Sequence, residues 1–176
     1  MDKDSTIILG IDPGTRSTGY GVIKVSHRVL SPLDFGCIRP PTQAPDSVRY
    51  LALFNALDRL LEHHTPDYVA VETQFVSKNA QSALKLGKAQ GMALLAAARR
   101  NIPIHEFAPS QAKLAVVGNG SASKEQVQRM IQLLLHLPHV PEPEDAADAL
   151  ALAICLANTL HFKQRLTSCS SISKGS

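Results

Sequence analysis

The stretch that most constrains the fold is residues 7–23, where an apolar run, an aspartate, a glycine-rich turn and a second apolar run follow one another. The first run is apolar at consecutive positions, which is typical of a strand buried on both faces. Pro13 and Gly14 favour a turn, so the pattern predicts a hairpin whose second strand covers residues 18–25. Asp12 ends the first strand, at the rim of this hairpin.

Asp12 needs a partner if its strand is buried. An isolated carboxylate ion inside a protein costs roughly several kcal/mol, so it must meet a cation, a metal or hydrogen-bond donors. The alternative is a turn aspartate that bonds its own backbone, as acids before Pro-Gly often do. This stretch alone leaves both interpretations open.

A second apolar strand also ends in an acid. Residues 68–71 form a short, mostly apolar run, and Glu72 follows them directly. In open α/β sheets ligands bind outside the carboxyl ends of the strands. Two strands that each end in an acid therefore predict one shared site.

Two further acids lie at the start of the last predicted helix, which begins at Glu144. Asp145 and Asp148 are three residues apart and share one face of its first turn. Acids in a first turn also stabilise the positive helix end by about 0.3–1 kcal/mol each, which is a purely structural alternative. Because the residues around them are nearly all Ala, Leu and Ile, we expect the pair to face the core and to need a counter-charge.

The remaining elements complete an α/β pattern in a single domain over residues 1–163. Strands are predicted over 28–38 and 102–107, and helices over 46–64, 79–100, 109–117 and 124–137. Asp46 or Ser47 is expected to cap the first helix, and Ser123 with Gln126 resembles a capping box. Residues 164–176 are rich in serine and unpatterned, so we expect a flexible tail there.

Composition favours an ordinary globular chain with a polyanionic partner. The net charge is +3, and gathering four acids into one site leaves +7 elsewhere, since four negative charges are set apart. The start of the chain lacks a signal-peptide pattern, and the longest apolar run, 149–157, is far shorter than the ~20 residues that span a bilayer, so we expect a cytoplasmic protein. Cys37, Cys155 and Cys169 are expected to be free thiols.

Four carboxylates from distant parts of the chain suggest a metal and a reaction. No His or Cys with ligand spacing lies near them, and all-oxygen ligation suits Mg²⁺ or Mn²⁺ better than zinc. Two metals about 3.5–4 Å apart are the arrangement for in-line phosphodiester cleavage. The predicted chemistry is hydrolysis of a nucleic-acid backbone. The four acids are Asp12, Glu72, Asp145 and Asp148.

Three segments resemble the RuvC family of bacterial Holliday junction resolvases, over roughly residues 6–158. They are the hairpin around Ile-Leu-Gly-Ile-Asp-Pro-Gly, the run Val-Glu-x-x-Phe-x-x-Lys-Asn-Ala and the ending Asp-Ala-Ala-Asp-Ala-Leu-Ala. The resemblance implies an RNase H-like fold, with a five-stranded mixed sheet and helices on both faces. It also implies a homodimeric, Mg²⁺-dependent endonuclease that nicks opposed strands of a four-way DNA junction symmetrically, and a partnership with the RuvA–RuvB branch-migration complex.

The resemblance also assigns roles to residues. The four acids would be the catalytic metal ligands, and Phe75 would stack on a base near the junction centre. Lys113 and Lys124, on either side of a glycine-bearing loop, would assist DNA binding and cleavage. Lys78 and Lys85 are expected to contact phosphates, the alternative being a solvated helix face. The helix that begins near residue 79 would supply much of the dimer contact.

Other functions remain open at this point. The Gly-Ile-Asp-x-Gly-Thr segment also resembles the phosphate loop of actin-like ATPases and sugar kinases, although those need two such domains. A junction-binding module without catalysis is disfavoured by the four acids, which weaken DNA binding unless metals are present. A related nuclease that acts on RNA or on other branched substrates is the remaining alternative.

Overall fold

The structure is a computed structural model that describes residues 5–73 and 80–172, with side chains as far as Phe162. The strands are β1 (Ser5–Asp12), β2 (Thr18–Ser26), β3 (Val29–Ile38), β4 (Tyr68–Glu72) and β5 (Ile104–Phe107). The helices are α1 (Asp46–His64), α2 (Ala80–Arg99), α3 (Pro109–Val117), α4 (Lys124–Leu134) and α5 (Glu144–Ile172).

The strands form one mixed sheet in the order β3-β2-β1-β4-β5, which confirms the expected five-stranded arrangement. The first three strands of the chain pair antiparallel, whereas β1, β4 and β5 run parallel. Ile11 of β1 pairs with Val71 of β4, so the two strands end side by side. Asp12 lies opposite Gly19 of the returning strand.

Helices cover both faces of this sheet. Leu9 and Ile11 of β1 pack in the core under α1 and α2, whereas Ile8 packs in the core under α3, α4 and α5. All three residues are fully buried. The apolar run that opens the chain is therefore a central strand covered on both faces, as its sequence predicts.

Helix α5 lies directly on β1 and β2 because these strands carry glycines at the crossing. A Cβ at Gly10 would overlap with the carbonyl oxygen of Ala149, and one at Gly21 would overlap with the side chain of Leu150. The absence of a side chain at these two positions lets α5 approach the sheet closely.

Several boundaries differ from those predicted. Pro45 is the N-cap of α1 and gives no side-chain hydrogen bond, so the expected cap by Asp46 or Ser47 is wrong. Helix α4 ends at Leu134 rather than near residue 137, because the backbone leaves the helical region at His136, whose φ is 51°. The predicted capping box of Ser123 and Gln126 is confirmed.

The last helix is longer than expected. It continues to Ile172, through most of the segment 164–176 predicted to be a tail, because no Gly or Pro stands between Glu144 and Ile172 to end it. The predicted domain boundary at residue 163 therefore falls inside α5. That boundary stays a prediction.

Two of the three cysteines can be placed. Cys37 and Cys155 are free thiols, as expected. Burial raises the pKa of the Cys155 thiol to about 11, which keeps it protonated and unreactive. In the part of the chain that the structure describes, no helix has the length and apolar character that crossing a membrane requires.

Candidate active site

Two of the predicted acids are brought together by the sheet. Asp12 is the last residue of β1 and Glu72 is the last residue of β4. Because these strands are parallel neighbours in register, their terminal side chains lie at the same edge. The two strands therefore end at the same edge of the sheet, as predicted.

Helix α5 brings the other two acids to the same edge. Asp145 and Asp148 lie in its first turns, and the backbone of Asp145 is in contact with Gly19, the pairing partner of Asp12. A side chain at position 19 would overlap with the carbonyl group of Asp145. The helix can therefore start directly above the end of β1.

Three of the four acids line a cavity of about 290 Å³. Asp12, Glu72 and Asp148 line it on one side, and α3 and α4 form the other wall. Asp145 lies beside this cavity, where the Cys37 thiol donates a hydrogen bond to its Oδ2 at an Sγ···Oδ2 distance of 3.8 Å. The further lining residues are Pro109, Ala112, Lys113, Lys124, Val127 and Ala151.

The electrostatics show that the four acids act on one another. Burial, followed by the charges of Glu72, Asp148 and Asp145, raises the pKa of Asp12 to about 8. Burial and the charge of Asp148 raise the pKa of Glu72 to about 7. Burial also raises the pKa of Asp148. Like charges in a partly buried cluster destabilise the ionised form, so a cation at this place is strongly favoured.

Two lysines of the opposite wall face this cluster. Lys124 Nζ lies 2.8 Å from Glu144 Oε2 and 3.8 Å from Asp148 Oδ2. The hydrogen bond to Glu144 and the charge of Asp148 raise the pKa of the Lys124 ammonium. Lys113 Nζ donates to the backbone carbonyl of Ala122 at 3.0 Å, which holds the glycine-bearing loop against α3.

The donor set fits a hard divalent cation. It consists of carboxylate oxygens whose mutual repulsion a cation relieves, which suits magnesium or manganese. Among the described residues, however, no three His, Cys, Asp or Glu side chains are arranged so that they could hold a metal ion as they stand. Asp12, Glu72 and Asp148 line one cavity and Asp145 lies beside it, so the acids are close together without a preformed coordination shell among the described residues.

Three further residues are predicted to contact DNA. Phe75 and Lys78 lie outside the described residues. Lys85 is exposed on α2 and does not line the cavity of the acids. Their roles stay predictions.

Sequence reasoning missed two neighbours of the site. Cys37 contacts Asp145 although 108 residues separate them, and only the sheet register brings β3 to that point. Glu144 forms an ion pair with Lys124. From the sequence, Glu144 looks like an ordinary acid that stabilises the first turn of a helix. No local pattern identifies either contact.

The fold and the site define a nuclease of the RNase H-like class. The chain matches the family described as "Crossover junction endodeoxyribonuclease RuvC" over residues 8–156. It is 56% identical over 162 residues to the protein of that name from Protochlamydia amoebophila, covering 92% of this chain and 96% of the relative. The chain belongs to the RuvC family, and its activity is that of a Holliday junction resolvase, a divalent-metal nuclease of DNA.

Solved structures agree with this assignment. The structure of Thermus thermophilus RuvC has a TM-score of 0.82 and 32% identity, and covers 89% of this chain and 96% of its own. T. thermophilus RuvC in complex with a Holliday junction substrate has a TM-score of 0.81 and 30% identity, with the same coverage. Family membership removes the ATPase and the non-catalytic module as interpretations of this chain.

Proposed function

We propose that Asp12, Glu72, Asp145 and Asp148 jointly hold two Mg²⁺ ions, and that a homodimer uses them to place paired, symmetric nicks in a four-way DNA junction. The observation that carries this proposal is that acids from β1, β4 and α5 meet at one edge of the sheet, where burial and the three other acids raise the pKa of Asp12 to about 8. A carboxyl group that its neighbours disfavour so strongly as an anion gains most from a shared cation.

The residues of the chain divide the work in this proposal. When bound, the metal pair supplies an activated water and stabilises the leaving oxygen. The four acids hold the ions at the ends of β1 and β4, and Mn²⁺ can replace Mg²⁺ because both prefer oxygen ligands. Lys113 and Lys124 assist DNA binding and cleavage from the opposite wall of the cavity, and Lys113 also anchors the loop that precedes Lys124.

The two-fold relation of the paired nicks calls for two active sites, and therefore for two copies of the chain. Helix α2 offers a surface for this contact. Its outer side presents a stripe of Leu84, Gly87, Gly91 and Leu95 at helical spacing. The opposite side is buried in the core with α1 and the sheet through Ala89, Ala93, Ala96 and Ala97. Leu84 and Leu95 of the stripe are exposed, and the space at Gly87 and Gly91 is open. Such a stripe lets a second helix approach closely.

The location and the partners of the protein are part of the same proposal. It acts on junction DNA in the cytoplasm, alongside the RuvA–RuvB branch-migration complex. The homologous T. thermophilus protein was solved with a Holliday junction substrate, which supports the substrate but not the partner. Phe75 is proposed to stack on a base near the junction centre, and Lys78 and Lys85 to contact phosphates of the DNA.

A supercoiled plasmid that extrudes a cruciform tests the paired cut. Two coordinated nicks across the junction convert the circle to a linear product, whereas independent nicks give a nicked circle. We expect linear product with Mg²⁺ or Mn²⁺, ends that a ligase can seal, and no product in a chelator.

The matched substrate is the same plasmid relaxed, so that no junction forms. Equal cutting of relaxed DNA, or preferential cutting of an RNA–DNA hybrid offered as competitor, would favour a related nuclease with another substrate. Tight junction binding without any nicks under both metals would contradict the proposal outright.

A further inference from the structure

One lysine stands between two acids at the mouth of the active-site cavity. Lys124 Nζ is 2.8 Å from Glu144 Oε2 and 3.8 Å from Asp148 Oδ2. The two acids are four residues apart on α5 and therefore share one face of the helix. The shorter distance shows that the ammonium group is held by Glu144 rather than by Asp148.

Glu144 holds the lysine from outside the acid cluster. Its side chain is 60% exposed, compared with 32% for Asp148. The cavity of the acids includes Asp148 and Lys124 but not Glu144, which lines a separate hollow with Glu142 and Gln128. The Glu144 carboxylate thus pulls the ammonium toward solvent and away from the acids.

The capping box of α4 and the anchored loop hold the backbone of Lys124 in place. The position of its ammonium group therefore depends on the conformation of the side chain. Lys124 is the first residue of α4, behind the capping box that joins Ser123 to Gln126. Lys113 anchors the preceding loop through the Ala122 carbonyl. Rotation of the flexible lysine stem can therefore carry the ammonium from Glu144 to Asp148 without any movement of the helix.

We propose that Glu144 is a positioning residue that keeps the Lys124 ammonium at the rim of the cavity, so that Asp148 and its neighbours remain available to divalent cations. This inference rests on the proposed metal site. Without the Glu144 charge, the ammonium moves onto Asp148, where it acts as an internal counter-ion and competes with the metal. A charge-assisted bond is about twice as strong as a neutral one, so an uncharged glutamine holds the lysine less well.

Calorimetric titration of the whole chain with Mn²⁺, without DNA, tests this directly. We expect Glu144→Gln to weaken Mn²⁺ binding by about two- to fivefold, the range that one exposed ion pair supplies. Glu142→Gln is the matched control, since it removes an exposed acid of the same hollow that makes no described ion pair with Lys124. It should leave the Mn²⁺ affinity close to that of the wild type.

A double-mutant cycle separates positioning from a general charge effect. In a Lys124→Met background, Glu144→Gln should cause no further loss of Mn²⁺ affinity, because no ammonium is left to misplace. The same loss in that background, or no loss in the wild-type background, would overturn the inference while leaving the metal site intact. If wild type and Asp12→Asn bind Mn²⁺ alike, the proposed metal site itself fails, and the inference with it.

Discussion

Gly19 of β2 and Asp145 of α5 lie so close that a side chain at position 19 would overlap with the Asp145 carbonyl group. Gly19 is also the pairing partner of Asp12 across the hairpin. One glycine therefore fixes the distance between an acid of the sheet and the helix that carries two more. The geometry of the active site depends on this position having no side chain.

Gly19→Ala should push the first turn of α5 away from β1. We expect cleavage to fall on the order of 10- to 100-fold, as small misplacements of catalytic groups can cause. The free energy of unfolding should fall by about 1–3 kcal/mol, the usual cost of overpacking. Single-turnover junction cleavage and urea unfolding measure the two effects. Wild-type cleavage in this variant would show that the contact does not position Asp145.

Asp12→Asn should separate cleavage from binding. The amide keeps the shape of the side chain but removes the charge that a metal needs, so we expect cleavage to fall by about 10³-fold or more. Junction affinity in a gel-shift assay should stay within about twofold, because the phosphate contacts are proposed for lysines rather than for Asp12. Near-normal cleavage would contradict the assignment of Asp12 as a metal ligand.

The acids should make the metal-free protein less stable as the pH rises. The pKa of Asp12 is raised from 3.8 to about 8, and that of Glu72 from 4.5 to about 7. Between about pH 4 and pH 8 the unfolded chain therefore releases protons that the folded chain retains, which favours unfolding; above pH 8 the effect is constant. Thermal unfolding in a chelator should show this decline.

The same experiment on Asp12→Asn provides the control. Because an amide does not titrate, the decline with pH should be markedly shallower, and the variant should be more stable than the wild type near pH 8. Added Mg²⁺ should raise the unfolding temperature of the wild type more at high pH than at low pH. An identical pH dependence in both proteins would show that the Asp12 carboxyl is not perturbed by its neighbours.

Leu84→Glu should disrupt the proposed dimer. Leu84 is exposed on the outer stripe of α2, and a charge there is costly in an apolar interface. Light scattering should report a monomer, and the cruciform plasmid should give nicked circles instead of linear product. Leu133→Glu is the matched control, because Leu133 is equally exposed but lies on α4. A dimer that survives Leu84→Glu would exclude this face of α2.

The acids were predictable from the sequence because each has a local signal. Asp12 and Glu72 interrupt or end apolar runs, and Asp145 and Asp148 occupy one face at the start of an apolar helix. A charged side chain in apolar surroundings needs a counter-ion, a metal or hydrogen-bond donors, whatever the fold. The sheet then brings the two strand ends together through the parallel register of β1 and β4.

The rest of the site depends on long-range geometry. The contact of Cys37 with Asp145 requires three strands to align, and the bond between Lys124 and Glu144 requires α4 to pack across α5. The serine-rich composition of residues 164–176 predicts a tail, but α5 continues to Ile172 because no Gly or Pro stands within it. The role of Phe75 rests on the resemblance to the family alone.

Phe75→Ala should reduce junction cleavage more than junction affinity, because the aromatic ring is proposed to stack on a base near the junction centre. Cleavage and gel-shift assays on the same junction measure the two effects.

The proposed function depends on the four carboxylates binding metal together. Crystals soaked in Mn²⁺ and measured at the manganese absorption edge test this joint binding. We expect anomalous density at the cavity, within bonding distance of carboxylate oxygens of Asp12, Glu72, Asp145 and Asp148. Manganese bound elsewhere, or none at these oxygens at a concentration that supports cleavage, would contradict it.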